Sequence, residues 1–347
     1  MKIALITDTH FGGRNDSGSF DSFFKKFYDE VFFPELKKRD VKNIFHLGDC
    51  FDRRKYINFD SLRSCREYFF DKTIDENICV DMIVGNHDTY YKNTNNVNSP
   101  ELLLNDYFNV AVYKKPDTIT IGGRDILVLP WICTDNYEQS IKAIKETDAK
   151  VCFGHLELEG FQMWKGQENK EGFDPKLFRN FDLVCSGHFH HRHSKGNITY
   201  LGNPYEMFWN DFEDQRGFHI FDTETLELEF IKNPFTMFEK VYYDDTQTTP
   251  NVDNYKDKVV KLIVVNKNDH TAYDKFLDKL YKANPIEVKI VEDFSEFESD
   301  LLDDEDIDLT DTLTLVSQYV DALETDVDKE RLKTLMKTLY VESQDYE

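Results

Sequence analysis

A layered α/β fold is the architecture this sequence predicts. Short apolar runs bounded by Gly, Asp or Asn alternate with amphipathic stretches over about the first two hundred residues. The runs are strand-like in composition. Asp, Asn and His follow one run after another, at the carboxyl ends where open α/β sheets bind ligands.

The runs, in order, are IALIT (3–7), NIFHLG (43–48), CVDMIVG (79–85), DILVLPW (125–131), KVCFG (150–154), LVCSG (183–187), ITYLG (198–202) and FHIFDT (218–223). Between the first and second lies a helical pattern at 23–38, with apolar residues at Phe23, Phe24, Phe27, Val31 and Phe32. A second helical pattern covers 61–74. The rhythm changes near residue 235. Segment 236–291 offers two strand-like runs, 258–265 and 286–291, flanking a helix-like 271–283, enough for a small α/β cap. Residues 292–311 then hold eleven acids and no Lys or Arg, which reads as a solvated linker over 292–309. Two short amphipathic helices are expected within 310–347, carrying Leu313, Val316, Val320 and Leu323, then Leu332, Leu335, Met336, Leu339 and Tyr340. A hairpin of this kind could dock on its own domain. Its separation by an acidic linker favours a partner protein.

Composition narrows the function classes. Hydrophobic residues make up 40% and charged residues 31% of the 347, which excludes a disordered chain. No apolar run approaches the length of a membrane span, and the opening MKIALITDTH is too short for a signal-peptide core. A cytoplasmic protein is therefore expected. Its six scattered cysteines, none in CxxC, are expected to be reduced and mostly core. The net charge of −24 argues against a general nucleic-acid coat but does not describe a local cleft.

The chemistry sits in five loops. The first run leads to Asp8 and His10, the second to Gly48-Asp49, and the third to Gly85-Asn86-His87-Asp88. Later come Gly154-His155 and Gly187-His188-Phe189-His190. Glycine before a ligand lets the backbone turn and approach closely. Asp, Asn and His together suit Mn²⁺, Fe²⁺ or Zn²⁺ with no competing thiolate. Two such ions about 3.5–4 Å apart form a clamp for phosphoryl transfer. Asp49 is the candidate carboxylate to bridge them. His46 lies inside a strand, where a core or supporting role is expected. His191 and His193 fall outside the motif and are expected to face solvent.

The order DxH, GD, GNHD, GH, GHxH resembles the calcineurin-like metallophosphoesterase superfamily. That resemblance covers residues 1 to about 205. It implies a four-layer β-sandwich flanked by helices over 1–235. It also implies one metal on Asp8, His10, Asp49 and His190, and a second on Asp49, Asn86, His155 and His188. His87 would then protonate the leaving oxygen, with Asp88 orienting its ring. The stretches GDCFDRRK (48–55), GNHDTYYKN (85–93), SPELL (99–103), LPWIC (129–133), GHLELEGF (154–161), LGNP (201–204) and RGFHIFDTET (216–225) are similar to nuclease subunits of SbcC–SbcD type recombination complexes, the T-even phage branch above all.

Within that branch the resemblance implies Mn²⁺-dependent cleavage of DNA, 3′→5′ on duplex ends and endonucleolytic on single strands. It implies a homodimer, a heterotetramer with an ABC-type coiled-coil ATPase docked on 310–341, and work in the cytoplasm of a phage host. The 236–291 segment would cap the site and contact DNA. The chain departs from cellular relatives just after GDxF, where they often carry a histidine and this chain has Asp52, Arg53 and Arg54. Arg53 and Arg54 are candidate phosphate contacts, or members of surface ion pairs. The same metals would serve a phosphatase or cyclic phosphodiesterase acting on small phosphoesters. Such an enzyme has little need of a cap, linker and hairpin.

Overall fold

A computed structural model describes residues 1–252, 254–292, 329 and 333. Its centre is a pair of six-stranded mixed sheets. The first runs Leu228–Lys232, Gly217–Asp222, Lys2–Ile6, Asn43–His46, Cys79–Ile83, Val110–Tyr113. The last four of these strands are mutually parallel. The second sheet runs His193–Lys195, Ile198–Tyr200, Leu183–Gly187, Val151–His155, Arg124–Leu129, Asp117–Ile121, with its four inner strands parallel and both edges antiparallel.

Alternation along the strands builds the layers. Ile3 and Leu5 join Phe45, Ile126, Val128 and Phe153 in one buried cluster between the sheets. Ala4 and Ile6 face the other way, into a cluster with Phe24, Phe27, Tyr28, Phe32 and Phe69 from the helices. On the far face, Leu127, Leu129, Cys152 and Val184 pack with Ile144 of the helix Tyr137–Glu146. The order is helix, sheet, sheet, helix. These parallel inner strands are covered on both faces, as such strands require.

The two expected helices are present but begin earlier, at Gly18 and Phe59. Asn58 caps the second, its Oδ1 accepting from the Asp60 N–H at 2.8 Å. Each helix widens for one turn, at Tyr28–Phe32 and Arg66–Phe70. The first wide turn comes just before Pro34, which cannot complete a regular ladder. The widened turns meet: the rings of Tyr28 and Tyr68 stack at 5.4 Å.

Residues beyond 235 form a three-stranded parallel sheet, Phe238–Asp244, Val259–Asn266 and Glu287–Val291, with the helix His270–Lys282. Sequence pattern revealed only the last two strands. Phe238–Asp244 buries Phe238, Val241 and Tyr243, a spacing that breaks period-two alternation. The linker expected at 292–309 and the hairpin at 310–347 lie outside the described residues, apart from Glu292, Lys329 and Lys333. Among the described residues no helix is long and apolar enough to cross a membrane. Five of the six cysteines are buried and all are unpaired; Cys79 is exposed.

Candidate metal centre

Strand ends from both sheets carry the expected donors toward one another. Asp8, His10 and His190 each offer a ligand atom, all within 4.8 Å of one another. Asp49, His155 and His188 form a second such trio. Asn86 Oδ1 lies 2.9 Å from both His155 Nε2 and His188 Nδ1. Asp49 Oδ2 is 3.3 Å from His155 Nε2 and 3.8 Å from His10 Nε2, so it stands between the trios. The Nε2 atoms of His10 and His190 face each other at 3.2 Å. Two imidazole nitrogens aimed at one point, beside carboxylates, suit a cation. The donor set is oxygen and imidazole without thiolate, and it fits a pair of divalent ions.

The backbone is bent to achieve this. Asp8, His10, Asp49 and His188 all adopt positive φ, of 51°, 42°, 54° and 88°. Non-glycine residues rarely do so, and each such residue costs of order 1–3 kcal/mol that the surrounding fold must offset. The glycines before the donors are required by space. A Cβ on Gly48, itself at φ +92°, would come 2.6 Å from His155 Nδ1. One on Gly187 would come 2.0 Å from Thr7 Oγ1.

Charge in the cluster is balanced by imidazoles. Burial raises the Asp8 carboxyl to about 6, against the pull of His155. Burial acts on Asp49 in the same sense, but the charges of His155 and His87 hold it well below the usual carboxylate range. Burial opposes a proton on His10, yet the contact with Asp52 and the charge of Asp49 carry it to about 10. His155 is lifted to about 9 against burial, chiefly by Asp49. Burial and the His155 charge push His188 down to about 3. The carboxylates thus hold positive charge on two imidazoles, a role divalent cations would take over with release of those protons.

Asp88 does not orient His87. Its carboxylate accepts four backbone N–H groups, from Asp49 (2.9 Å), Cys50 (2.9 Å), Phe51 (3.1 Å) and Gly85 (2.8 Å). It clamps two donor-bearing loops together. The correction is physical: a buried acid among so many unpaired amides satisfies them before it reaches a side chain. His87 is oriented by Asp52 instead, whose carbonyl lies 2.7 Å from its Nδ1. A carbonyl only accepts, so Nδ1 carries hydrogen and Nε2 is left to exchange a proton. Asp52 serves twice, because its Oδ1 sits 3.3 Å from His10 Nδ1.

Further supports carried little signal in the sequence. Arg216 is buried and donates to the His190 carbonyl, Asn203 Oδ1, Asp211 and Asp214, which fixes the loop carrying His190. Its sequence signal was only an arginine opening a strand. Trp131 lies with its ring 5.1 Å from that of His188. His46 accepts from the Gly48 N–H at Nδ1 (3.2 Å) and meets Thr9 Oγ1 through Nε2 (2.9 Å), bracing the first two loops.

His191 and His193 do not face solvent as expected. His191 pairs with Asp214 at 2.7 Å, and His193 accepts from the Gln162 N–H while stacking on Tyr200. Both are half-buried, because the loop returns onto its own sheet. Arg53 and Arg54 part company. Arg53 is bound to Asp16 and to Asn15, whereas the Nη1 of Arg54 is buried with no hydrogen-bond partner among the described residues.

Residues 1–192 match the calcineurin-like phosphoesterase family. The chain belongs to that family. Exonuclease subunit 1 of Enterobacteria phage T4 is 34% identical over 354 residues, an alignment spanning 99% of this chain and 99% of the relative. An SbcCD nuclease subunit of Staphylococcus saprophyticus is 21% identical over 317 residues, covering 82% of this chain and 81% of that protein. Calcineurin-like phosphoesterases use divalent metals, and this member has candidate metal-binding groups at strand ends of its paired sheets.

Proposed function

We propose that the chain is the nuclease subunit of a recombination and repair complex, hydrolysing DNA phosphodiesters with two divalent ions, Mn²⁺ by ligand type. The observation that carries this reading is the convergence of two donor trios around Asp49, in a chain that matches a phage exonuclease subunit end to end. Asp8, His10, Asp49 and His190 would hold one ion; Asp49, Asn86, His155 and His188 the other. When bound, such a pair polarises phosphoryl oxygens and provides a nucleophile at neutral pH. His87 passes a proton from Nε2 to the leaving oxygen, with Nδ1 fixed on the Asp52 carbonyl. Exonucleolysis from duplex 3′ ends, endonucleolysis of single strands, and work in the cytoplasm of a phage host complete the reading.

The decisive assay is cleavage of an end-labelled linear duplex with Mn²⁺, wild type beside His87→Ala. The variant is expected to keep two ions per chain by native mass spectrometry and to cut about 10²–10⁴-fold more slowly. Normal cutting by the variant would remove His87 from the proton path. If the wild type spares DNA and hydrolyses small phosphomonoesters, the substrate class is wrong and a phosphatase or cyclic phosphodiesterase takes its place.

Both relatives bear names of subunits, which supports a partner protein for this chain. We assign the partner as an ABC-type coiled-coil ATPase docked on 310–341. Truncation at residue 305 is expected to spare cleavage by the isolated chain and to abolish co-purification with that ATPase; undiminished co-purification refutes the assignment. Exposed Phe59 and Phe108, at 86% and 87%, support a homodimer through the 59–75 helix and its neighbours.

A further inference from the structure

On the loop whose Asp52 holds His87 lies a cavity of about 140 Å³, lined in part by the buried Phe51. Arg54, Lys55, Tyr56, Tyr90 and Leu102 line its walls. It has room for several waters or for one planar ring. No acidic side chain lines it, in a chain whose net charge is −24. Arg54 stands on that wall, while its Nη1 is itself covered and without a hydrogen-bond partner among the described residues. A guanidinium on the wall of a cavity without acids suits an anion or carbonyl ligand. Tyr56 and Tyr90 are 65% and 40% exposed; the Arg53 guanidinium lies over the Tyr56 ring at 5.0 Å, and ring surface of both tyrosines is left for stacking.

Its position bears on the chemistry. Phe51 donates its N–H to Asp88, and Ser99, another lining residue, donates to the Asp88 carbonyl at 2.8 Å. Asp52, next to Phe51, holds His87 through its carbonyl. The cavity is therefore built on the two loops that carry Asp49 and His87. In the nuclease reading His87 meets the leaving oxygen, and the loop that holds it leads from there to this wall. The larger groove on the other flank of the Thr89–Asn98 hairpin, about 1160 Å³, sets Asp135 and Glu138 against Lys92, a balance unfavourable to phosphates.

Resting on the nuclease reading, we infer that this cavity is a nucleotide subsite. The base on the leaving side of the scissile phosphate stacks on Tyr90 and Tyr56, and Arg54 bonds that nucleotide's phosphate or base carbonyl. Arg53 also lines the cavity, tied to Asp16 and lying over the Tyr56 ring, so it positions that ring.

The test uses the full chain with Mn²⁺, thymidine oligomers carrying one abasic residue scanned along the strand, and bis(p-nitrophenyl) phosphate. Tyr90→Ala and Arg54→Gln are expected to raise KM on intact oligomers about tenfold, with turnover of bis(p-nitrophenyl) phosphate unchanged. In the wild type, one abasic position should reproduce that loss. Tyr90→Ala should lose nothing further on that same oligomer, since the two changes remove one contact. Equal losses by the variants on intact and abasic strands would overturn the subsite. An altered solution mass with KM unchanged would overturn it too, showing that a second copy fills the cavity. Failure of the nuclease reading itself shows differently, as wild-type protein inert on every oligomer yet active on bis(p-nitrophenyl) phosphate.

Discussion

Asp49→Asn abolishes DNA cleavage, lowering it about 10³–10⁴-fold, and leaves the chain folded with fewer than two ions bound. The size follows from losing the carboxylate that two cations would share, a several kcal/mol effect at one decade per 1.36 kcal/mol. Asparagine keeps an oxygen to accept the His87 N–H, which Asp49 Oδ1 now accepts at 2.8 Å, so the loop survives. What disappears is the negative charge between the trios. His155 owes its raised proton affinity chiefly to it and His10 owes a share after Asp52, and cations would draw on the same field. Native mass spectrometry, circular dichroism and the labelled-duplex assay read the three parts separately. A variant that retained two ions and near-normal rates would contradict the shared-carboxylate assignment.

The second large effect falls on a residue that holds neither metal nor substrate. Asp88→Ala leaves four buried N–H groups without acceptors. Each stranded donor costs about 1–3 kcal/mol. Their combined loss takes most of the roughly 5–15 kcal/mol margin of a domain, even with incomplete additivity. We expect the thermal midpoint to fall by more than about 10 °C, with metal affinity lost as the Asp49 and Gly85 loops separate. Asp88→Asn should recover part of it, because one oxygen still accepts while its amide meets other donors. Thermal unfolding with and without Mn²⁺ decides the matter, and an Asp88→Ala protein that melts like wild type would refute the clamp.

Sequence alone picked out the residues that the fold brings together. Asp8, His10, Asp49, Asn86, His155, His188 and His190 were all readable, because each must follow a strand and several need a glycine before them for space. The layered α/β class was equally legible, since parallel strands covered on both faces leave continuous apolar runs. The starts of the helices at Gly18 and Phe59 were not, because the apolar pattern begins only after the first turn, and the wide turns where Tyr28 meets Tyr68 left no period to read.

Only the tertiary structure decided which polar groups serve the donors. Asp88 is adjacent to His87 in sequence, yet its carboxylate turns to the backbone of distant loops, since four unpaired amides outweigh one ring nitrogen. Arg53 and Arg54 are neighbours with one chemistry, and only the position of Asp16 separates an ion-paired residue from one with an unpartnered nitrogen. His191 and His193 read as spare loop histidines until Asp214 and Tyr200, brought in from elsewhere in the chain, gave them partners. Ligands are fixed by local backbone requirements, which a sequence displays. Partners are fixed by which strands lie side by side, and that is settled only when the sheets close on one another.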